Sequence, residues 1–273
     1  MNCIATDGHG YYAVTPEVAA AWRELLFNIG QEAGIEFEFL SSPLPQSQEE
    51  LWSRSDRSCV LMMCGYPIAM RHFDVTPIAA PIPSAPWAHG RALYRTNLIV
   101  KAESRYQTLP DTFGARLGWT TSHSHSGFNS LRHHLLQYRR SDRPTLYSQV
   151  IGNLGSVRKV FDSVCDGTID VGPIDAYWHL LLRQYLPVLA ARVRVIETTA
   201  TAPIPAFVAN PAVPHEIIDR LAVSFVSAQQ RTWFRPLSDA TMIDGFAAPA
   251  PDEFNVIRAR DQEAIQAGYA LPA

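Results

Sequence analysis

TTSHSHSGFNSLR, residues 120–132, places five Thr/Ser, two His and one Gly directly in front of an apolar-periodic stretch. Its local reading is strand end, turn and helix start. Ser126 is well placed as N-cap, and Leu131, Leu135 and Tyr138 mark the inner face of the helix that follows. The first turn of such a helix presents unpaired N–H groups and about half a positive charge. Gly127 lets another group approach the backbone closely. Hydroxyls of Ser122, Ser124 and Ser126 add donors, so the stretch can cradle a phosphate-like anion without Lys or Arg.

Two other readings compete. Ser and Thr before a helix are ordinary caps, which accounts for one serine but not for three alternating with histidine. Metal binding is the third. His123 and His125 alternate and would share one face of a strand, with His133 and His134 nearby. No carboxylate or cysteine sits at ligand spacing, and adjacent His133 and His134 cannot point the same way on a helix, so no metal is expected. The serines are out of register for G-x-S-x-G, and no P-loop or dinucleotide fingerprint occurs. No catalytic residue and no cofactor is implied.

Outward from this stretch the chain reads as two successive α/β series. Upstream, TPEVAAAWRELLFNIGQEAG (15–34) is a helix with Thr15 as N-cap, Pro16 at its first position and Gly34 at its end. IEFEFL (35–40) alternates as a strand, SSPLPQSQEELWSR is a loop into a short helix, and CVLMMCG (59–65) is a buried strand. This order predicts a largely parallel sheet. The Pro-rich TPIAAPIPSAPW (76–87) reads as irregular and solvent-lapped, and ALYRTNLIVKA (92–102) as one long strand. Downstream, strands are expected at 115–121, 168–175 and 193–200. Helices are expected at 126–138, 157–167, 176–185, 214–228 and near 252–267.

The totals exclude several classes. Of 273 residues 47% are hydrophobic, which supports a sizeable core, and a net charge of −3 gives no argument for nucleic acid or an anionic membrane surface. No stretch approaches the roughly 18 apolar residues of a spanning helix, so no membrane insertion is expected. Cys3, Cys59, Cys64 and Cys165 are scattered and read as free buried thiols. MNCIATDGHGYY lacks a charged start and an apolar run. The expectation is therefore a cytoplasmic protein or a mature form whose signal peptide was removed.

In order along the chain, YAVTPE…W (12–22), CGYP (64–67), G-x-x-x-Y-R-T (90–96), S-x-S-G-x-N-x-L-R (124–132), DGTIDVGPID (166–175) and APIPAF (202–207) resemble the phosphonate/phosphate-type periplasmic substrate-binding proteins of ABC transporters. The resemblance implies an α/β, two-lobed type II periplasmic-binding-protein clamshell. Each lobe would be a mixed, mostly parallel sheet flanked by helices. Residues 1–95 plus 201–273 would form lobe I and 96–200 lobe II, joined by the strands ALYRTNLIV and VRVIETT, with the ligand in the cleft. It implies closure on a small anionic or zwitterionic ligand, and an ABC permease or a sensor protein as partner.

Carried over residue by residue, Ser124, Ser126 and Gly127 match the family's anion-binding turn, with His125 at the variable position. Tyr66 matches a cleft aromatic, Tyr94 the tyrosine at the hinge-strand entrance, and Asp175 the acid that accepts a ligand ammonium in aminophosphonate binders. Tyr12 is a candidate cleft wall. Each has a plainer reading: Tyr66 as core aromatic, Tyr94 as hinge packing, Asp175 as cap of the helix beginning at Ala176. Trp87, Trp178 and His89 are candidates by position only. The family's Gly-x-His is absent; IGNLGSVRKV (151–160) puts Asn153 or Leu154 there, so a ligand other than phosphonate itself is expected. The alternative function is a small-molecule enzyme on the same fold, with His125 and Asp175 as acid and base. A sensing module would require a signalling segment, and the sequence has none.

Overall fold

Thr15 accepts the Val18 N–H, Pro16 needs no N–H partner in the first turn, and Gly34 closes the helix at φ 68°, where a side chain would be strained. These signals start and stop α1 (Pro16–Ala33) as the sequence predicts. The computed structural model describes residues 2–5, 12–40, 45–250 and 252–272. Part of the N-terminal stretch (1, 6–11) and the loop read at 41–44 lie outside the described residues. The chain divides into two compact units, 1–93 with 203–253 and 94–202 with 254–273.

The first unit begins with β1 (Asn2–Ala5), α1, β2 (Glu36–Phe39), α2 (Pro45–Ser53), β3 (Cys59–Met63), α3 (Gly65–Met70) and β4 (Thr76–Pro83), and the chain passes to the second unit within β5 (Leu93–Tyr94). The second unit continues through β6 (Thr96–Lys101), β7 (Arg116–Gly118), α4 (Ser130–Leu135), β8 (Gln149–Ile151), α5 (Val157–Asp166), β9 (Val171–Asp175), α6 (Ala176–Tyr185), α7 (Pro187–Ala190) and β10 (Val193–Thr198). After β11 (Ala202–Pro203) the chain adds β12 (Ala206–Ala209), α8 (His215–Ser227), α9 (Phe234–Thr241) and β13 (Ile243–Ala247) to the first unit. It finishes with α10 (Asn255–Gln266) in the second.

The first unit's sheet runs β13-β4-β12-β3-β1-β2 and the second's β10-β6-β9-β7-β8. Parallel pairing is confined to β1 with β2 and β3, and β7 with β8 and β9. These ladders arise where a helix returns the chain in the same direction. The other pairs within these two sheets are antiparallel, so both sheets are mixed, and neither is mostly parallel as the sequence order suggested.

Two segments depart from the sequence reading. The Pro-rich stretch is not irregular: β4 is an interior strand with Ile78, Ala79 and Ala80 buried. Proline removes a ladder donor and normally stays at sheet edges. Here each ladder of β4 shifts register near its prolines, between Phe207 and Val208 beside Pro77 and between Ile243 and Gly245 beside Pro83. Bulges there accommodate the missing donors. ALYRTNLIVKA is also not one strand, since it breaks at Arg95 between β5 and β6.

The units' boundaries fall at 93/94 and 202/203, where 95/96 and 200/201 were expected, and Phe254–Ala273 belongs with the second unit. The cause is chemical. Arg132 of α4 forms a buried ion pair with Asp261 of α10, and its Nη1 donates to the Ala270 carbonyl at 3.1 Å. Asn129 donates to the Ile257 carbonyl, and Tyr269 joins the apolar core of Leu98, Leu117, Leu131, Leu135 and Val171.

In the first unit Trp22, Leu25, Leu26 and Ile29 of α1 are at most 1% exposed, each contributing about 1.5–3 kcal/mol by burial. Trp22 packs on Phe207 and Phe246, and Phe225 of α8 stacks on Phe207 at 5.0 Å. On β3, alternate residues Cys59, Leu61 and Met63 pack with Leu51 and Trp52 of α2. Cys3, Cys59, Cys64 and Cys165 are all buried and none is in a disulfide, as read from their spacing.

Candidate functional site

After β7 the chain is fixed at Trp119 and Thr120 on two sides. Trp119 N–H donates to Ile151, and Leu154 and Gly155 N–H donate back to the Trp119 and Thr120 carbonyls. Thr120 N–H reaches the Gly127 carbonyl at 3.2 Å. Residues His125–Asn129 then wind as a π-helical turn, with Asn129 N–H on the Ser124 carbonyl and Ser130 N–H on His125. Residues 125–138 are helical throughout, through α4 and a final tighter turn.

This winding moves the cap. Ser124, not Ser126, is the N-cap: its Oγ accepts the Gly127 N–H at 2.9 Å. The helix starts two residues earlier than the apolar spacing suggests because the first turn is wide. Ser126 is thereby released from capping. It is half-buried, its carbonyl accepts the Thr96 hydroxyl at 3.0 Å, and neither its N–H nor its Oγ has a partner among the described residues. Gly127 is required by crowding: a Cβ there would sit 1.9 Å from Thr120 Oγ1. Ser122 and His123 are exposed.

Sequence reasoning passed over Thr96, Ser130 and Thr199. Ser130 Oγ donates to Thr199 Oγ1 at 2.8 Å, and the same oxygen accepts the Thr96 N–H at 3.1 Å. These hydroxyls brace the turn against β6. The signal in the sequence is Thr96 in Y-R-T, two residues after Tyr94.

The other candidates are distributed as follows. His125 is 1% exposed, its ring 6.1 Å from that of Tyr94 and its Nδ1 3.3 Å from Asn129 Nδ2. Burial, aided by the like charge of Arg260, lowers its pKa to about 3. The imidazole is neutral at physiological pH, which does not suit the acid/base role. Tyr94 is also buried. Asp175 ends β9 beside Thr96, and its Oδ1 accepts the Tyr177 and Trp178 N–H groups at 2.8 and 3.1 Å, so the capping reading is realised. Asn153 is exposed in the left-handed region at φ 58°. Tyr94, Ser124, His125, Ser126, Gly127 and Asp175 thus share one unit with Asn153. Tyr12 and Tyr66 are in the other: Tyr12 is buried, and Tyr66, half-buried in α3, meets the His72 ring edge-on at 5.9 Å. Trp178 packs on Phe161, Trp87 is half-buried and His89 exposed.

His133 and His134 diverge as expected, His133 to Glu263 at 2.7 Å and His134 to Glu197 at 2.6 Å. Among the described residues no three His, Cys, Asp or Glu are grouped to hold a metal ion. No described helix is long and apolar enough to cross a membrane.

Known structures share this fold over nearly the whole chain. A binding protein component of an ABC phosphonate transporter from Pseudomonas aeruginosa superposes with a TM-score of 0.80 at 14% identity, covering 98% of this chain and 87% of that one. PhnD1 from Prochlorococcus marinus, in complex with methylphosphonate, gives 0.77 at 10% identity, covering 97% and 98%. A Xanthomonas citri protein bound to ATP gives 0.66 at 18% identity, covering 97% and 98%. The fold is that of the type II periplasmic binding proteins. No curated protein matches the sequence.

The sequence profile of one family, described as ABC transporter, phosphonate, periplasmic substrate-binding protein, matches residues 13–254. The chain belongs to that family, and it is a substrate-binding protein of the ABC-transporter class rather than an enzyme.

Proposed function

We propose that the chain binds a small oxyanion, phosphonate- or phosphate-like, at the turn Ser124–Gly127 and delivers it to an ABC permease. The observation that carries this is Ser126, whose N–H and hydroxyl have no partner among the described residues at the start of a helical run. Such a position favours an anion through its free donors and the helix dipole. The Ser124 hydroxyl adds a donor, since its oxygen accepts from Gly127 but its proton is not used in that bond. Asp175, held beside Thr96, suits a ligand that also carries an ammonium group, and Tyr94, Tyr12, Tyr66 and Asn153 are further proposed contacts. His125 acts from behind the turn, packed on Tyr94.

The test is calorimetry with methylphosphonate, 2-aminoethylphosphonate and inorganic phosphate. Ser126→Ala should keep the fold and weaken the best of these at least about tenfold, as for a charge-assisted hydrogen bond. Unchanged affinity in Ser126→Ala would remove the turn from the site.

A further inference from the structure

We propose a second oxyanion site in the unit formed by 94–202 and 254–273, centred on Arg260 and distinct from the Ser126 turn. Ser130, His133, His134 and Gln137 lie at helical spacings of three and four and line one cavity, the two histidines from opposite sides of the helix crest. These residues, Thr199 and α10 line an open cavity of about 310 Å³, a size that suits a small metabolite. Arg260 lines it.

The guanidinium is half-buried, and burial holds its pKa below the ordinary arginine value without discharging it. Its Nη2 donates to the Thr201 carbonyl at 2.8 Å. Among the described residues no carboxylate lies within ion-pair distance. Glu263, one turn along α10, is engaged by His133, and Glu197 by His134 and the Tyr138 hydroxyl at 2.8 Å. Both acids beside the cavity are therefore turned to other partners, while its one arginine keeps donors for a ligand. Glu263 favours the charged guanidinium through space but makes no ion pair with it, and an oxyanion set on the planar fork gives this partly desolvated cation a direct counter-charge. The ligand class is a small phosphate- or carboxylate-bearing molecule. The inference rests on Arg260 and stands or falls apart from the role of Ser126.

The experiment is arginine footprinting of the whole protein. Phenylglyoxal adduction at Arg260 is followed by peptide mass spectrometry, with inorganic phosphate or malonate added. Either anion should slow adduction at Arg260 at least about threefold, as competition for the same guanidinium predicts. The better protector tells phosphate from carboxylate. Protection should persist in Ser126→Ala, and calorimetry of that variant should retain a phosphate-binding event that Ser126→Ala/Arg260→Met lacks. If Ser126→Ala binds at its turn like the wild type while Arg260 stays protected, the turn reading fails and the second site holds. No protection by either anion, or protection that disappears in Ser126→Ala, would overturn the second site. Footprinting needs no Arg260 variant, so it decides even if Arg260→Met fails to fold.

Discussion

Ser124 Oγ accepts the Gly127 N–H at 2.9 Å, closing the first turn of a helical run whose next serine, Ser126, is left uncommitted. Two serines two residues apart therefore have separable jobs. Ser124→Ala removes a cap and should lower stability by about 1 kcal/mol, with a loss of anion affinity. Ser126→Ala should lower affinity at unchanged melting temperature. The check is thermal unfolding of both variants beside calorimetry with methylphosphonate, and equal melting losses would contradict the division.

Gly127→Ala should destabilise by about 1–3 kcal/mol through overpacking, because the new methyl meets Thr120 Oγ1 at 1.9 Å and Cγ2 at 2.6 Å. Thr120→Ala takes away both atoms and should recover part of the loss in the double variant. Recovery is partial because Thr120 Cβ stays 2.8 Å away. Urea unfolding of the two singles and the double measures this. Strict additivity would mean that the glycine is needed for another reason.

Local grammar made α1, β3 and α6 readable, since Thr15, Gly34 and the unbroken run Cys59–Met63 each act within a few residues. Asp175 was readable as a cap for the same reason. The interior position of β4 was hidden because its prolines contradict a central strand unless bulges from β12 and β13 sit opposite, and those come from far along the chain. The place of the C-terminal segment was hidden likewise: Arg132 gives no sign that its partner is Asp261. The site was half legible. The serine turn stood out by composition, whereas its cap depended on π winding, and Thr96 and Thr199 join it only through the fold of β6 and β10.

Arg132 and Asp261 are 4% and 2% exposed, so their pairing is a tether in a dry environment. Arg132→Met should cost about 3–5 kcal/mol, because the Asp261 carboxylate loses its guanidinium while still buried. Arg132→Met/Asp261→Leu should cost less than the sum of the single changes. Limited proteolysis gives a second readout: Arg132→Met should speed cleavage between 250 and 273 more than elsewhere. Cleavage spread evenly over the chain would argue that the pair does not hold this segment in particular.

Acidification should weaken the fold before the carboxylates titrate. His179 of α6, bonded to Asn97 at 3.1 Å, has its pKa lowered to about 4 by burial, with a smaller effect of Arg183. His125 is lowered to about 3. An unfolded histidine titrates near 6.5, so below that pH the unfolded chain binds protons that the folded chain refuses. Stability is therefore full above about 6.5 and falls as pH drops through the window toward about 4 for His179 and about 3 for His125. Urea midpoints at about pH 7, 6 and 5 measure the slope, and His179→Gln, which cannot take up the proton, should flatten it. A wild type with constant or rising midpoints toward pH 5, or a His179→Gln slope equal to the wild type's, would show that His179 is not held neutral by the fold.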